Sequence, residues 1–364
     1  MSLEETKNRV IKTFNFEKTD RVPVFDIVQN IPFIEHYAGE KINIENGERV
    51  LCKALGQSID LSAEINPPAA PVVYENNGFQ YKTEWWTTWL VKRPFNDVES
   101  LKTFVKKNIH QISESDPESL WTYLGNVSFT GSDESNDVVF NHQQELCGDC
   151  MLTICESFPG LDTACTMAGF ELFSYLLYEE PSLISDWVNA LAHHEIDRIH
   201  HVADPGMSPV AVVCCDIAYK SGTLLSHVFL KANFFPQLKG ICDAWHQHDT
   251  KVLFHSDGNL FSILDDLVEA GIDGLNPLEP LEGIDVVTEV RKRYPGLVLA
   301  GGINAHQLLV NGTTEQVSDE VKRLIDNIGS GGGLFIGSTI EMHPGCRAEN
   351  LIAMVETTRS YGVS

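Results

Sequence analysis

Short apolar runs alternate with longer amphipathic segments along most of this chain. Eight of the runs have the length and β-branched content of buried strands, and most contain few polar positions, as strands covered on both faces do. These predicted strands are Val22–Val28, Ser58–Ile65, Met151–Glu156, Val210–Asp216, Lys251–His255, Gly274–Asn276, Leu297–Ala300 and Leu334–Gly337.

Helical periodicity is found between most of the predicted strands. Phe261–Ala270 and Thr314–Ile328, for example, place apolar residues three and four positions apart. Alternating strands and helices are typical of βα units around a parallel sheet. Eight such units predict an α/β fold, a (β/α)₈ TIM barrel in which residues 1–364 form a single domain.

Residues 66–150 exceed what a minimal barrel needs between its second and third strands. They contain Phe79–Phe95, with Trp85, Trp86 and Trp89, and a predicted helix over Asp97–Lys107. We interpret this region as an insertion that either covers the barrel mouth or packs against a second subunit. In the second alternative, the protein forms a homodimer.

Charge and composition exclude several classes of partner. The chain has 51 acidic and 26 basic residues and a formal charge of −25, which disfavours binding to nucleic acid. No apolar run approaches the roughly 20 residues of a membrane span, and the first residues lack the apolar core of a signal peptide. Nine scattered cysteines indicate a reducing compartment, so we expect a cytoplasmic enzyme.

Polar residues follow nearly every predicted strand, where the active site of a barrel lies. We therefore expect a site at the carboxyl ends of the strands. The residues concerned are Asp26, Asp60, Glu64, Glu156, Asp216, Tyr219, His255, Asp257, Asn276, Glu279, Asn304, Ser338, Glu341, His343 and Cys346.

His255 and Asp257 are the most informative pair. They are two residues apart after an apolar strand, and residues at i and i+2 of an extended segment point to the same side. Imidazole and carboxylate groups bind metals or transfer protons, although Asp257-Gly258-Asn259 also has the composition of a simple turn. Cys346, after the last strand, adds a thiol that would favour zinc if it reached the same mouth.

The sequence resembles the uroporphyrinogen-decarboxylase-like superfamily over roughly residues 5 to 360. The matching segments are Asn8–Phe14, Asp20–Val24, Gly169–Leu172, Leu177–Pro181, Asp216–Ser226, His255–Asn259, Gly274–Glu279, Ala300–Asn304 and Glu349–Met354. The resemblance implies one of two activities. One is cofactor-free decarboxylation of a tetrapyrrole, and the other is zinc-dependent methyl transfer between a corrinoid protein and an acceptor such as a thiol.

Differences from the family pattern favour methyl transfer. The decarboxylases carry an arginine-rich motif after the first strand, whereas this chain has no arginine between Asp26 and His36. The methyltransferases bind zinc through a His-x-Cys pair and a later cysteine. His255 and Cys346 match the first and third of these ligands, and Asp257 occupies the middle position. The resemblance therefore implies a zinc site of His255, Asp257 and Cys346, or a site that has lost its metal.

The resemblance thus implies a methyltransferase with zinc, a small-molecule methyl acceptor and a corrinoid supplied by a partner protein. We expect Asp257, Asp216 and Glu156 to be catalytic, and Asp26, Asn276, Glu279 and Tyr219 to bind substrate. The alternatives are a metal-free, decarboxylase-like enzyme that uses Asp216 and Asp257 as acid and base, and a non-catalytic tetrapyrrole- or corrinoid-binding protein.

Overall fold

The computed structural model describes residues 2–114, 136–154 and 156–362. The α-helices are α1 Leu3–Phe14, α2 Ile31–Ala38, α3 Gly47–Ser58, α4 Val98–Glu114, α5 Asn136–Cys147, α6 Leu161–Ala168, α7 Phe170–Glu179, α8 Pro181–Val202, α9 His227–Asn233, α10 Phe235–His246, α11 Leu264–Glu269, α12 Val286–Arg293, α13 Thr314–Asn327 and α14 Ala348–Ser360. Within the described ranges, none of these helices has both the length and the apolarity to cross a membrane.

The strands are mostly short. They are β1 Leu61–Ser62, β2 Ala69–Asn76, β3 Phe79–Trp85, β4 Thr87–Lys92, β5 Met151–Leu152, β6 Glu156–Ser157, β7 Val210–Cys214, β8 Ala218–Tyr219, β9 Gly222–Thr223, β10 Lys251–His255, β11 Gly274–Asn276, β12 Val298–Ile303 and β13 Leu334–Ser338. A π-helix, Ala305–Val310, follows β12.

A six-stranded parallel sheet forms the centre of the fold, in the order β13-β12-β11-β10-β7-β6. β1 and β5 form a second parallel pair. Isolated parallel bridges join Val24 to Ile336 in β13 and Phe25 to Leu61 in β1. The predicted α/β fold with a parallel sheet is therefore confirmed, and each predicted strand contains part of this pairing.

The apolar pattern is explained by burial. One side of the strands packs in a cluster that includes Val212, Leu253, Val298 and Phe335, and α1 contributes Val10 to it. The opposite side packs against helices in the main core. Since both faces are covered, β7 and β13 are buried along nearly their whole length.

Residues between β1 and β5 contain an antiparallel sheet in the order β2-β3-β4, together with α4 and α5. The predicted helix over Asp97–Lys107 is observed as part of α4. The sheet is attached to α6, because the Arg93 guanidinium donates hydrogen bonds to the carbonyl oxygens of Met167 at 2.9 Å and Thr166 at 2.8 Å.

Asp60, which lies within the predicted strand Ser58–Ile65, is not at the carboxyl ends of the strands, where we expected the site residues. It precedes β1, and its buried carboxylate accepts hydrogen bonds from Arg9 at 2.9 Å and from two nitrogens of Arg21 at 2.8 Å. It also accepts the Val24 N–H at 2.8 Å. Asp60 therefore joins α1 and the first strand segment to β1, at the end of the strands opposite to the candidate site.

Candidate metal centre

Two neighbouring strands bring three side chains together. Asp216 lies two residues beyond the end of β7, His255 ends β10, and Asp257 lies two residues beyond β10. The strands are parallel, with His255 paired to Cys214, so their carboxyl ends meet. One ligand atom from each of Asp216, His255 and Asp257 lies within 4.8 Å of the other two. The predicted proximity of His255 and Asp257 is observed, and Asp216 is added to it.

The orientation of His255 is fixed by the next strand. Its Nδ1 lies 2.7 Å from Oδ1 of Asn276, and Nδ2 of Asn276 donates to the Ala300 carbonyl oxygen at 3.1 Å. Because the amide nitrogen of Asn276 is used by the Ala300 carbonyl oxygen, its amide oxygen faces the ring and accepts the proton of Nδ1 of His255. In the neutral ring the lone pair is then on Nε2. Asn276 is 4% exposed, and its side chain contacts both His255 and the Ala300 carbonyl oxygen.

Asp257 has an incompletely satisfied carboxylate. Its backbone N–H donates to Oδ1 of Asp216 at 2.9 Å. Its own Oδ1 is buried and has no hydrogen-bond partner among the described residues. Burial raises the pKa of Asp257, the nearby charge of Asp216 adds to the rise, and His255 opposes it. A buried carboxylate oxygen without a donor is energetically costly, and a cation would remove that cost.

The loop after β10 is held closely against the loop after β7. Ser256 is buried, and its Oγ accepts the Ile217 N–H at 3.3 Å. Gly258 has φ +94°, and a Cβ there would lie 2.6 Å from the Ala218 carbonyl carbon. Asn259 N–H donates to the Tyr219 carbonyl oxygen at 3.0 Å. Only glycine fits this close approach, which fixes the direction in which Asp257 leaves the strand.

Further carboxylates surround the three residues. Burial raises the pKa of Asp162 to about 6, with Asp216 adding to the rise and His255 opposing it. Burial followed by the charge of Asp257 likewise raises the pKa of Glu279 and Glu341. The environment of His255 is therefore strongly acidic.

Sequence reasoning missed Asp162. It lies in the first turn of α6, and its charge acts on the thiol of Cys215, the residue before Asp216. The available signal was its position shortly after the third strand, behind Pro159 and Gly160.

Other predicted site residues lie in different surroundings. Asp26 is 2% exposed; its Oδ2 accepts the Ser338 N–H at 2.7 Å, and its Oδ1 pairs with the Ser338 hydroxyl at 2.8 Å. Burial raises the pKa of Asp26 to about 7. Tyr219 is 55% exposed, in the β8–β9 hairpin. Glu156 lies in β6, but its side chain is outside the described part of the structure.

Cys346 is buried and does not belong to the three-residue group formed among the described residues. Its carbonyl oxygen accepts a hydrogen bond from Nδ2 of Asn30 at 3.0 Å. Burial, together with the charges of Asp26 and Glu341, raises the pKa of the Cys346 thiol to about 12.

The family model of uroporphyrinogen decarboxylase (URO-D) matches residues 154–361, which is more than half of the 364 residues. The chain belongs to this family. The part of it that matches the URO-D family includes all three residues of the metal-ligand group, as well as Asp162, Asn276, Glu279 and Glu341. The superfamily predicted from the sequence is thus confirmed.

The fold of this URO-D family member is similar to that of a solved structure described as a methyltransferase from Methanosarcina mazei. The two have a TM-score of 0.67 and 14% sequence identity, and the similarity covers 99% of each chain. At this identity the likeness concerns the fold. No curated protein sequence matches the chain.

Proposed function

We propose that this URO-D family member is a methyltransferase that moves a methyl group between a corrinoid protein and a small acceptor at a metal centre around His255 and Asp257. The observation that carries the proposal is the orientation of His255, whose Nδ1 proton is directed at Asn276 so that the Nε2 lone pair remains for a metal. The methyltransferase from Methanosarcina mazei, with a similar fold over the whole chain, supports the same class of reaction.

The residues present fit a divalent metal ion. His255 offers a neutral nitrogen donor, and the buried Oδ1 of Asp257 has no hydrogen-bond donor among the residues described. Two negative oxygen donors close to an imidazole match the charge and the ligand preference of zinc. When bound, such an ion lowers the pKa of a coordinated thiol, so that the acceptor becomes a nucleophile near neutral pH.

We place this centre at the mouth of a closed (β/α)₈ barrel. The parallel bridges Val24–Ile336 and Phe25–Leu61 support closure, since they connect the first strand segment to β13 and to β1. The Ile154 N–H donates to the Val210 carbonyl oxygen at 3.0 Å, which connects the β5 side to β7. Both edges of the central sheet are therefore connected to further strand segments. The connection at β13 is the Val24–Ile336 bridge, and the one beside β6 and β7 is the Ile154–Val210 hydrogen bond.

The protein's own groups would then bind and position the reactants. Tyr219 and Lys220 are exposed in the β8–β9 hairpin, next to the loop that carries Asp257, and would contact the acceptor or the partner protein. The insertion is anchored on α6, the helix that begins near Asp162, through the bonds of Arg93. We infer that the β2-β3-β4 sheet of the insertion covers the same opening and limits the access of water.

Decarboxylation of a polycarboxylate fits this site less well. Asp162, Asp216, Asp257, Glu279 and Glu341 influence one another electrostatically, and Lys220 is the cation that acts on Glu279. A substrate with several carboxylates would meet like charges in a partly buried site, where repulsion is weakly screened. The stretch from Asp26 to His36, directly after the first strand begins, contains no arginine that would offset this repulsion.

Methyl transfer is tested with the zinc-loaded protein, free methylcobalamin as the methyl source and a panel of small thiols as acceptors. Loss of the methylcobalamin absorption, with formation of a methyl thioether detected by mass spectrometry, is the expected result. The His255→Ala variant should lose methyl-transfer activity, whereas the surface variant Asp243→Asn should retain the wild-type rate of methyl transfer. No methylated product with any acceptor, from protein that retains zinc, would overturn the proposal.

A further inference from the structure

We propose that Asp216, rather than Cys346, is the third ligand of the metal centre, so that the ion is held by one nitrogen and two carboxylate oxygens without a thiolate. This inference deepens the proposed function, on which it rests for the chemistry of the bound ion, and assigns the ligand set from this chain's own geometry. The three ligands would be Asp216, His255 and Asp257.

The backbone makes this set compact. β7 and β10 are adjacent and in register, and the Cys215 N–H donates to the His255 carbonyl oxygen at 3.0 Å. This pairing brings Asp216 beside the loop of Asp257, where the Asp257 N–H binds Oδ1 of Asp216 at 2.9 Å. The bond holds the Asp216 carboxylate in place while its second oxygen remains for the ion.

Each donor has an independent reason to face the ion. His255 is oriented by Asn276, which acts as an outer partner of the ligand. Asp257 has a buried oxygen for which the described part of the chain supplies no hydrogen bond. Asp216 is exposed, so the group is open to solvent at this residue, and the Asp257 N–H holds its Oδ1.

Cys346 is not part of this compact group. Asp26 and Glu341 are acidic groups that act on its thiol, and its backbone is tied to Asn30 at the start of α2. No ligand group that includes its sulfur is present among the described residues. A set of three protein ligands leaves open coordination positions for the acceptor, as catalytic zinc sites do.

The ligand set determines which ions the centre prefers. Thiolates favour soft ions, whereas imidazole and carboxylates accept zinc, cobalt and manganese. We therefore expect Zn²⁺ and Co²⁺ to bind tightly and Mn²⁺ to compete measurably, with no special preference for Cd²⁺. The two carboxylates together neutralise the charge of one divalent ion. The bound ion therefore also removes the electrostatic repulsion between Asp216 and Asp257.

The test uses metal-free full-length protein titrated with Co²⁺, followed by absorption spectroscopy and by calorimetry. The expected spectrum has visible bands and lacks the strong near-ultraviolet charge-transfer band of a cobalt–thiolate bond. Asp216→Asn, Asp257→Asn and His255→Ala should each weaken binding by at least about tenfold, because removal of even an outer partner of a metal ligand typically costs about 10- to 100-fold. Cys346→Ser and the matched surface variant Asp243→Asn should keep the wild-type affinity.

A thiolate band that disappears in Cys346→Ser would overturn the inference, and so would unchanged affinity in Asp216→Asn. Absence of any stoichiometric metal, measured by plasma mass spectrometry after reconstitution, would also overturn it. Because Asp216 is exposed, its variant should fold, and thermal unfolding of the metal-free forms checks this. Tight binding that depends on Asp216, without methyl transfer, would support the ligand set and overturn only the proposed reaction.

Discussion

Nδ1 of His255 lies 2.7 Å from Oδ1 of Asn276, and the amide nitrogen of Asn276 is held by the Ala300 carbonyl oxygen. This arrangement fixes both the tautomer and the ring plane of His255 before any metal arrives. Outer partners of this kind typically contribute 10- to 100-fold to metal affinity. We therefore expect Asn276→Leu to weaken Zn²⁺ binding by about that factor, measured as the dissociation constant by calorimetry.

The matched variant Asn276→Asp keeps an acceptor for Nδ1 of His255 and should bind Zn²⁺ much more tightly than Asn276→Leu. Its cost is the lost hydrogen bond to the Ala300 carbonyl oxygen, which affects stability more than affinity. Equal affinities of Asn276→Leu and the wild type would show that His255 is not positioned by this contact.

Asp26 should make the stability of the protein depend on pH. Burial raises its pKa in the folded state to about 7, above the roughly 3.9 of an unfolded aspartate. The folded state therefore binds the additional proton, and the associated stability is fully present below about pH 4 and lost as the pH rises through about 7. Relative to Asp26→Asn, the wild-type free energy of unfolding should fall between about pH 4 and pH 7.

The measurement is urea unfolding of the metal-free protein across that pH range, comparing slopes rather than absolute values. Asparagine also loses one of the accepted bonds, which shifts the whole curve but not its dependence on pH. In Ser338→Ala the hydroxyl that stabilises the charged carboxylate is removed, so the fall should move to higher pH. Parallel curves for all three proteins would contradict this role of Asp26.

Asp60 should be among the most sensitive positions for stability. It is buried between the guanidinium groups of Arg9 and Arg21, so Asp60→Ala leaves two buried cations without this partner. Removing one member of a buried ion pair typically costs about 3–5 kcal/mol in the free energy of unfolding. Asp20→Asn alters the exposed partner of Arg9 and should cost about 1 kcal/mol or less. A loss in Asp60→Ala no larger than in Asp20→Asn would show that the pairing contributes little.

The α/β fold could be predicted because its strands carry a strong local signal. Lys251–His255 and Gly274–Asn276 were predicted with the bounds that the structure shows, since both are apolar runs that end at a polar residue. The segment Val22–Val28 forms only isolated bridges, because its pairing depends on distant residues such as Ile336. Local sequence does not encode which distant segments meet.

The candidate site was predictable in part for the same reason. His255 and Asp257 are close in sequence, so their shared direction follows from strand geometry. Asp216 was recognised as a strand-end residue, but its contact with the Asp257 N–H depends on the adjacency of β7 and β10. Asp26 has the same strand-end signature as Asp216, yet it is buried against Ser338. Exposure of a strand-end carboxylate is decided by tertiary packing, which the pattern does not contain.

Gly258 should couple loop geometry to metal binding. A Cβ at this position would lie 2.6 Å from the Ala218 carbonyl carbon, and the φ of +94° is unfavourable for other residues. Gly258→Ala must therefore displace the loop that carries Asp257 and weaken Zn²⁺ binding as well as stability.

Gly283 is the matched control, because it has φ +74° with no atom within 4 Å of an added Cβ. Gly283→Ala should cost about 1 kcal/mol from backbone strain and leave Zn²⁺ affinity unchanged. Calorimetric Zn²⁺ titration of both variants, beside their urea unfolding curves, separates the two effects. Wild-type affinity in Gly258→Ala would show that the path of this loop does not determine the metal centre.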